Sequence, residues 1–302
     1  MDDQQNTTAG YGFGIGVYLV WGLVPLYFKL LDHVGAVETV AHRITWSVGL
    51  LLALLLVLGK VRNLGIIFRN RRTLLALTAS ATLIGGNWLV YIWAVTHEHI
   101  LAASLGYFLN PLLNVVLGTV LLKEKLRPAT LAAIILAAIG VAILAVSALD
   151  TLWISVSLAV SFALYGYIRK VTDAGAIEGL AVETLLLSPV CVAYLIWLGM
   201  AGGLMFGASL ETDMLLIFSA AVTSVPLMLF AAAAKRLTLT TLGFIQYVAP
   251  SMVFLIGAFV FNEPLNSGQL LCFALIWAGL ALFTFDSIRT AHANRTRARL
   301  AA

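Results

Sequence analysis

Three ionisable residues stand together near the start of a long apolar stretch. Glu38, His42 and Arg43 all lie in the run 36–58. Ionisable groups are costly in hydrocarbon, so each such group within a run long enough to span a bilayer is a candidate for function. If a helix starts near Ala36, Arg43 lies about 10 Å along its axis, which is deeper than a headgroup position.

Arg43 is a candidate for binding an anion. Its planar guanidinium offers paired donors that match a carboxylate or a phosphate. The competing interpretation is structural, with the guanidinium serving Glu38, backbone carbonyls or lipid phosphate. The long side chain could also reach outward to the membrane interface. The residues alone leave both interpretations open.

Glu38 and His42 are spaced i, i+4 and therefore share a helix face. A carboxylate and an imidazole in contact could relay protons, and this pair is the candidate for proton coupling. The plainer interpretation is that Glu38 favours the positive end of its own helix. The tetrapeptide Ala-Val-Glu-Thr of 36–39 recurs at 181–184, so Glu183 is expected to open a helix in the same way.

A second set of candidates combines amide and aromatic side chains. Tyr107, Asn110 and Asn114 recur at i, i+3 and i+7, and Asn87 and Tyr91 at i, i+4, so each group marks one helical face. A pocket of this kind suits amphipathic organic solutes better than bare ions. Asn and Gln also join membrane helices by hydrogen bonds, which is the competing interpretation. The full predicted substrate-binding set is Arg43, Asn87, Trp88, Tyr91, Tyr107, Asn110, Asn114, Tyr165, Gln246 and Tyr247.

Prolines inside four apolar runs predict helix breaks, at Pro25, Pro111, Pro226 and Pro250. A proline removes one backbone hydrogen bond and frees a carbonyl one turn earlier, which a polar cavity can satisfy. No metal or cofactor is predicted, because the two cysteines lack any CxxC or Cys/His spacing. No nucleotide-binding motif occurs, so pumping driven by ATP would need a separate subunit.

The elements that must position these residues follow from composition. Hydrophobic residues make up 61% of the chain, charged residues 11%, and the mean hydropathy is +1.00. A soluble domain has about a quarter charged residues. The expected fold class is an all-α polytopic membrane protein with ten transmembrane helices. The apolar runs are 11–31, 36–58, 73–95, 100–122, 128–148, 152–168, 180–199, 213–234, 240–261 and 268–286.

Basic residues indicate the orientation of these spans. With the N-terminus placed inside, the inner connections and the C-terminal tail hold sixteen of the eighteen Lys and Arg residues, including Arg169 and Lys170. Because cytoplasmic loops carry the excess of Lys and Arg, both termini are predicted to be cytoplasmic. The basic residues lie in short loops rather than on one face, which argues against a nucleic-acid partner.

Self-comparison predicts two inverted five-helix repeats. A shift of 139 residues places the fourth and fifth runs on the ninth and tenth, and matches Pro111 with Pro250 and Gly140 with Gly279. It also matches Glu124 with Glu263. Five spans per repeat is an odd number, so the second copy must be inverted, as in many transporters. The predicted units are 1–149, 150–287 and a basic cytoplasmic tail at 288–302.

Several segments together resemble the RarD-like proteins, which are named for chloramphenicol sensitivity and belong to the EamA branch of the drug/metabolite transporter superfamily. The resemblance covers residues 11–287 and is carried by the segments 21–27, 42–47, 87–95, 104–112 and 242–250. It implies a ten-helix inverted-repeat fold in the bacterial inner (plasma) membrane. It also implies a role in moving small metabolites or drugs, without indicating the solute.

The predicted function is secondary transport, as an exporter, of a small metabolite or amphipathic drug by alternating access. The expected partners are that solute and the lipid bilayer. The alternative is an integral-membrane enzyme acting on a lipid-linked substrate, which would gather carboxylates, histidines or a metal set at one membrane face. Glu38, His42 and Arg43 form the one deep cluster that the sequence reveals, and no nucleophile is paired with a base, so a non-enzyme is favoured. A membrane scaffold without flux is a third possibility.

Overall fold

The computed structural model describes residues 2–97, 99–146, 149–259 and 267–300, and this part of the chain is helical without strands. Its helices are α1 (Asp2–Lys29), α2 (Ala36–Val57), α3 (Val61–Arg69), α4 (Arg71–Thr96), α5 (Ile100–Val120), α6 (Pro128–Val146), α7 (Leu152–Val171), α8 (Ala176–Met200), α9 (Leu210–Arg236), α10 (Leu239–Gln246), α11 (Val248–Phe259) and α12 (Ser267–Leu300).

Ten segments are long and apolar enough to cross a bilayer, which confirms the number of predicted spans. Eight lie in single α-helices, the segment 149–171 adds a 3-10 turn at 149–151 to α7, and the segment 239–256 is made of α10 and α11. Contacts gather the connections after α2, α5, α7 and α9 at one end of the bundle, where Lys60 lies 3.8 Å from Glu178, Glu124 accepts from Leu239 and Lys170 donates to Leu237. We call the end that carries Lys60, Lys123, Lys170 and Lys235 the basic face and the other end the opposite face.

The start of α8 differs from the predicted boundary at residue 180. The helix begins at Ala176 after Gly175, because Glu178 and Gly179 continue the helix rather than ending a loop. Glu183 is therefore the eighth residue of α8, and the prediction that it opens its helix was wrong. The start of α2 at Ala36, after Gly35, now aligns with the start of α8 at a shift of 140 residues.

Two further helices, α7 and α12, are longer than predicted. α7 runs to Val171 and includes Arg169 and Lys170, which the sequence placed in a connection. α12 continues to Leu300, so the backbone of the predicted tail is helical through that residue. Glu263, the predicted counterpart of Glu124, lies outside the described residues.

The prolines do not break the helices as predicted. Pro25, Pro111 and Pro226 lie inside the continuous helices α1, α5 and α9. A membrane helix tolerates proline when neighbouring groups satisfy the freed carbonyl. Among the described spans, an interruption occurs near Pro250, where Tyr247 separates α10 from α11, so the fourth spans of the two halves are not alike in this respect.

One helix at the basic face was not predicted. α3 buries Leu64 and Ile67, while Ile66 and Phe68 are exposed beside basic residues. Asn63 reaches from it to the start of α8, donating to Glu178 at 3.0 Å. Its helical spacing of apolar positions was present in the sequence, but the surrounding lysine and arginines favoured a loop. The helix lies where an interfacial helix would lie.

The packing of the helices supports the two-repeat prediction. If α1 corresponds to α7, α2 to α8, α4 to α9, α5 to α10 and α11, and α6 to α12, the most extensive helix contacts map onto one another. Thus α1 packs against α9 as α4 packs against α7, and α1 packs against α11 as α5 packs against α7. The pairs α2 with α8 and α6 with α12 map onto themselves.

The contact between α6 and α12 shows this relation at atomic detail. A Cβ placed on Gly140 would lie 2.9 Å from the carbonyl oxygen of Cys272, and one on Gly279 would lie 2.8 Å from that of Ala133. Both pairs are related by the same shift of 139 residues. Small residues allow membrane helices to approach closely, and here the backbone of each helix fills the space beside a glycine of the other.

We therefore expect Gly140→Ala and Gly279→Ala each to lower the free energy of unfolding by about 1–3 kcal/mol, because a methyl group must displace a backbone carbonyl. Gly49→Ala in α2 is the matched control, since nothing lies within 4 Å of a Cβ at that position. Thermal unfolding of the purified variants in detergent measures the difference. Equal midpoints for Gly140→Ala and Gly49→Ala would contradict the close helix contact.

Candidate functional site

Arg43 lies where helices of both halves meet. It is the eighth residue of α2, about 10 Å along the helix from the opposite face. Its Nε donates to the Thr223 hydroxyl of α9 at 2.8 Å. That hydroxyl in turn donates to the Ser219 carbonyl at 2.8 Å, so its lone pair is free to face the guanidinium. Thr223 was not among the predicted site residues.

Aromatic rings surround the guanidinium. Its Cζ lies 4.9 Å from the ring centre of Phe28 and 5.3 Å from that of Trp88, distances at which a cation is attracted to a π face. The phenol groups of Tyr27, Tyr91 and Tyr107 also lie near it. We call this set the Arg43 cluster: Arg43, Tyr27, Phe28, Trp88, Tyr91 and Tyr107.

Part of the Arg43 cluster lies at the surface of the protein. Tyr107 is 46% exposed and Tyr91 is 38% exposed, and their ring centres lie 6.0 Å apart. Arg43 is itself half-buried. It takes part in none of the ion pairs formed among the described residues. Arg43 is thus a cation surrounded by aromatic rings. No carboxylate among the described residues balances its charge.

Glu38 and His42 are in contact, as their spacing predicts. His42 Nε2 lies 3.7 Å from Glu38 Oε1, and both side chains are buried. Glu38 Oε1 also accepts hydrogen bonds from the backbone of Met205 at 2.8 Å and Phe206 at 3.3 Å. The carboxylate thus joins the start of α2 to the connection between α8 and α9. Proton coupling by this pair stays a prediction.

The predicted amides lie inside helix contacts. Asn87 donates to the Leu158 carbonyl at 2.8 Å and to the Ser161 hydroxyl at 2.9 Å, which joins α4 to α7. Asn114 donates to Gln246 at 2.8 Å between α5 and α10. These contacts are the interhelical hydrogen bonds of the competing interpretation, and the structure does not bring these side chains to the Arg43 cluster.

The other predicted residues fall into two groups. Trp88, Tyr91 and Tyr107 belong to the Arg43 cluster, as described. Asn110 is buried with no hydrogen-bond donor to its Oδ1, and Tyr247 donates to the Phe108 carbonyl at 3.3 Å. The predicted face of Tyr107, Asn110 and Asn114 is therefore divided between an exposed tyrosine and two buried amides.

A second ionisable cluster was missed by sequence reasoning. Arg169 and Glu183 are fully or almost fully buried, with exposed side-chain fractions of 0% and 1%. Arg169 Nη1 lies 3.5 Å from Glu183 Oε1, and the same oxygen accepts a hydrogen bond from Ser80 of α4. Tyr165 lies beside this pair and stacks on Phe230. Both charges had been assigned to helix ends, so nothing in the sequence brought them together.

No group of three or more metal-ligating side chains occurs among the described residues. Deep in the described spans lie Arg43, which forms no ion pair there, the Glu38–His42 contact and the Arg169–Glu183 ion pair. None of them is a nucleophile held by a base, which is the arrangement that covalent catalysis requires. The geometry around Arg43 is that of one cation lined by aromatic rings.

Comparison with known proteins agrees with this description. Residues 8–146 match the model of the EamA-like transporter family. An uncharacterized transporter of Vibrio cholerae is 42% identical, with 98% of each chain covered. Protein RarD of Streptomyces exfoliatus is 42% identical over 100% of this chain and 95% of its own. Protein RarD of Escherichia coli K12 is 39% identical over 95% and 98%.

A solved structure shows the same fold. It aligns with a TM-score of 0.72 over 92% of this chain and 98% of that chain, at 20% sequence identity. With the full-length relatives, these findings show that the chain belongs to the RarD-like proteins of the EamA-like transporter family, in the drug/metabolite transporter superfamily. It is a multi-pass membrane transporter.

Proposed function

We propose that the chain is a secondary transporter, working as an exporter, of a small amphipathic metabolite or drug that carries an anionic group. The observation that carries the proposal is Arg43. It is a half-buried cation without a partner carboxylate among the described residues, set about 10 Å into the bilayer inside a ring of aromatic side chains. A charge held this deep needs a counter-charge, and a bound anion supplies one.

The chemistry of the Arg43 cluster defines the substrate class. The Nη nitrogens can donate in parallel to a carboxylate or a phosphate, while Nε is already used by Thr223. The rings of Phe28, Trp88 and Tyr107 offer apolar surface to the remainder of the solute. An organic acid with an aromatic or other flat apolar body fits both features, whereas an inorganic anion uses only the cation.

Contacts at both faces support alternating access. At the opposite face, Glu38 of α2 holds backbone amides of Met205 and Phe206. At the basic face, Glu178 of α8 accepts from Asn63 at 3.0 Å and lies 3.8 Å from Lys60. Each carboxylate stands in the first turn of its helix and binds the other half of the chain. Each face opens only when the contact at that face breaks, so the two contacts would break alternately.

We also propose that the protein lies in the bacterial plasma membrane with the basic face and both termini in the cytoplasm. The support is the concentration of Lys and Arg at one end of the bundle. A cysteine-free variant carrying one cysteine at Asp32 or at Lys123 tests this orientation. A membrane-impermeant thiol reagent added to intact cells should label the first position and not the second.

The proposal predicts that purified protein is stabilised in a thermal-shift panel by aromatic carboxylates rather than by aromatic cations of similar size. Arg43→Gln should weaken that binding about 10- to 100-fold, the effect of losing charge-assisted hydrogen bonds of about 1.5–3 kcal/mol. Arg43→Lys should recover part of the loss, because an ammonium keeps the charge but not the paired donors. Arg62→Gln, in the exposed part of α3, is the matched control.

A ligand found in this panel is then tested for movement in proteoliposomes and for lower accumulation in cells that express the protein. Binding by Arg43→Lys as tight as that of the unchanged protein would rule out bidentate anion recognition. Chemical turnover of the ligand during the assay would favour the alternative function of a membrane enzyme. Stabilisation by cations that is indifferent to Arg43→Gln would overturn the proposed substrate class.

A further inference from the structure

The second ionisable cluster occupies the position that corresponds to Arg43 in the other half. The starts of α2 and α8 align at a shift of 140 residues, and the same shift places Glu183 on Arg43. Glu183 therefore lies about 10 Å from the basic face, as Arg43 lies about 10 Å from the opposite face. The two halves carry opposite charges at equivalent depths, and only Glu183 is paired with another charge among the described residues.

The pairing of Glu183 is incomplete. Its Oε1 receives the Ser80 hydroxyl and faces Arg169, whereas Oε2 is buried and makes no hydrogen bond of normal length; the Tyr165 hydroxyl beside this carboxylate makes none either. Arg169 Nε and Nη1 also lack hydrogen-bond acceptors, although Nη1 lies 3.5 Å from the carboxylate. A closed arginine–carboxylate pair would use both oxygens in parallel. One oxygen of this carboxylate is left available inside the protein.

Arg169 is held in place without Glu183. Its Nη2 donates to the carbonyls of Gly175 at 3.3 Å and Ala176 at 3.0 Å, where the α7–α8 connection ends. It stands in the last turn of α7, where the helix dipole favours a cation. Gly179 is needed beside it, because a Cβ there would lie 2.7 Å from Cζ of the guanidinium. Neutralising Glu183 would therefore leave Arg169 positioned at the start of α8.

We propose that Glu183 is a proton-binding site, with the proton added at Oε2. The proton comes from water at the basic face, and one O–H bond forms as the donor loses its proton. The pair then changes from neutral to a net charge of +1. The groups that face Glu183 are Arg169 and Tyr165 of α7 and the Ser80 hydroxyl of α4; Glu178 lies on its own helix, and Lys235 of α9 acts on Arg169 and Glu178.

Proton binding at this position is connected to closure of the basic face. Lys235 donates to the carbonyls of Thr172, at 3.1 Å, and Ala174 in the same α7–α8 connection that Arg169 holds. Lys170 donates to the carbonyls of Ala234, at 2.8 Å, and Leu237 at the end of α9. Proton uptake by Glu183 leaves the charge of Arg169 unbalanced, and this charge repels Lys235, so proton uptake favours opening of the basic face. This coupling role rests on the proposed transport function, but proton binding itself does not.

Infrared difference spectra of the purified protein, recorded across a pH titration without any solute, test the site. The carbonyl stretch of a buried protonated acid should appear as pH falls and should be lost in Glu183→Gln. It should remain in Glu178→Gln, which changes an acid of similar burial on the same helix, and in Arg43→Gln. A band that persists in Glu183→Gln would overturn the proposal. A band lost in Glu38→Gln instead would assign the proton to the Glu38–His42 pair.

Gly179→Ala decides the question if Glu183→Gln does not fold. The added methyl group displaces the end of the Arg169 side chain and changes no titratable group, so the acid band should grow at a fixed pH. An unchanged band in Gly179→Ala would overturn the proposal. For a solute identified with Arg43, Glu183→Gln should keep solute exchange and lose accumulation driven by a pH gradient. Retention of both, or loss of both, counts against the coupling role, whatever the result for solute binding at Arg43.

Discussion

Replacing Glu183 with leucine is expected to destabilise the protein by about 3–5 kcal/mol, the cost of leaving one partner of a buried ion pair alone. Arg169 is 0% exposed, so its charge would remain buried without its partner. Glu183→Gln should cost less, because an amide oxygen still accepts from Ser80 and Arg169. Unfolding in mixed micelles measures both variants.

The double variant Arg169→Leu/Glu183→Leu separates the ion pair from simple packing. Apolar replacement of both partners is often close to neutral, so most of the loss should be recovered. Recovery should stop short of completion, since Arg169 also holds the carbonyls of Gly175 and Ala176. A double variant no more stable than Glu183→Leu would show that the charges do not act on each other.

The second large effect is expected at Glu124, in the connection between α5 and α6. Its carboxylate accepts from the backbone of Leu239 at 2.7 Å and Thr240 at 3.0 Å, and from the Thr240 hydroxyl at 2.7 Å. These are among the otherwise unpaired donors at the start of α10, where a negative charge also complements the helix dipole. Glu124→Ala should lower the free energy of unfolding by about 2–3 kcal/mol.

The loss at Glu124 should be local. α10 has eight residues, so it depends on this cap and on that of Thr238, whose hydroxyl accepts from Thr241 at 3.1 Å. Amide hydrogen exchange followed by mass spectrometry should quicken in Leu239–Gln246 and remain unchanged in α6. The exchange rate of α10 in Glu124→Gln, which keeps one acceptor oxygen, should lie between the rates in the unchanged protein and in Glu124→Ala. Unchanged exchange in α10 of Glu124→Ala would show that Thr238 alone caps the helix.

The sequence predicted the number and identity of the spans because hydropathy over twenty residues is a strong signal. It placed most helix starts within three residues, but α1 and α8 begin earlier than predicted. Glu178 and Gly179 interrupt an apolar pattern, yet they lie in the first turn of α8, since a helix inside a protein can carry polar residues at its end. That single boundary error placed Glu183 at a helix start and hid the ion pair with Arg169.

The candidate site was found in part. The sequence marked Arg43 as an unusual charge. It marked Trp88, Tyr91 and Tyr107 as aromatic residues spaced along helices. Phe28 and Thr223 were not marked, because a phenylalanine near a helix end and a threonine in a membrane helix carry no signal of their own. Which amide faces a cavity and which joins two helices depends on helix rotation, and one sequence does not fix it.

The opposite charges at equivalent depths bear on how such a protein could have arisen. A homodimer of identical five-helix chains would carry the same residue at both positions, so two arginines or two glutamates would stand at the two depths. Joining the halves in one chain lets each position change without the other. On the two-repeat prediction, position 43 could hold an arginine and position 183 a glutamate only after the two halves were fused. Reconstructed ancestors that are still homodimers should therefore carry the same residue at both positions.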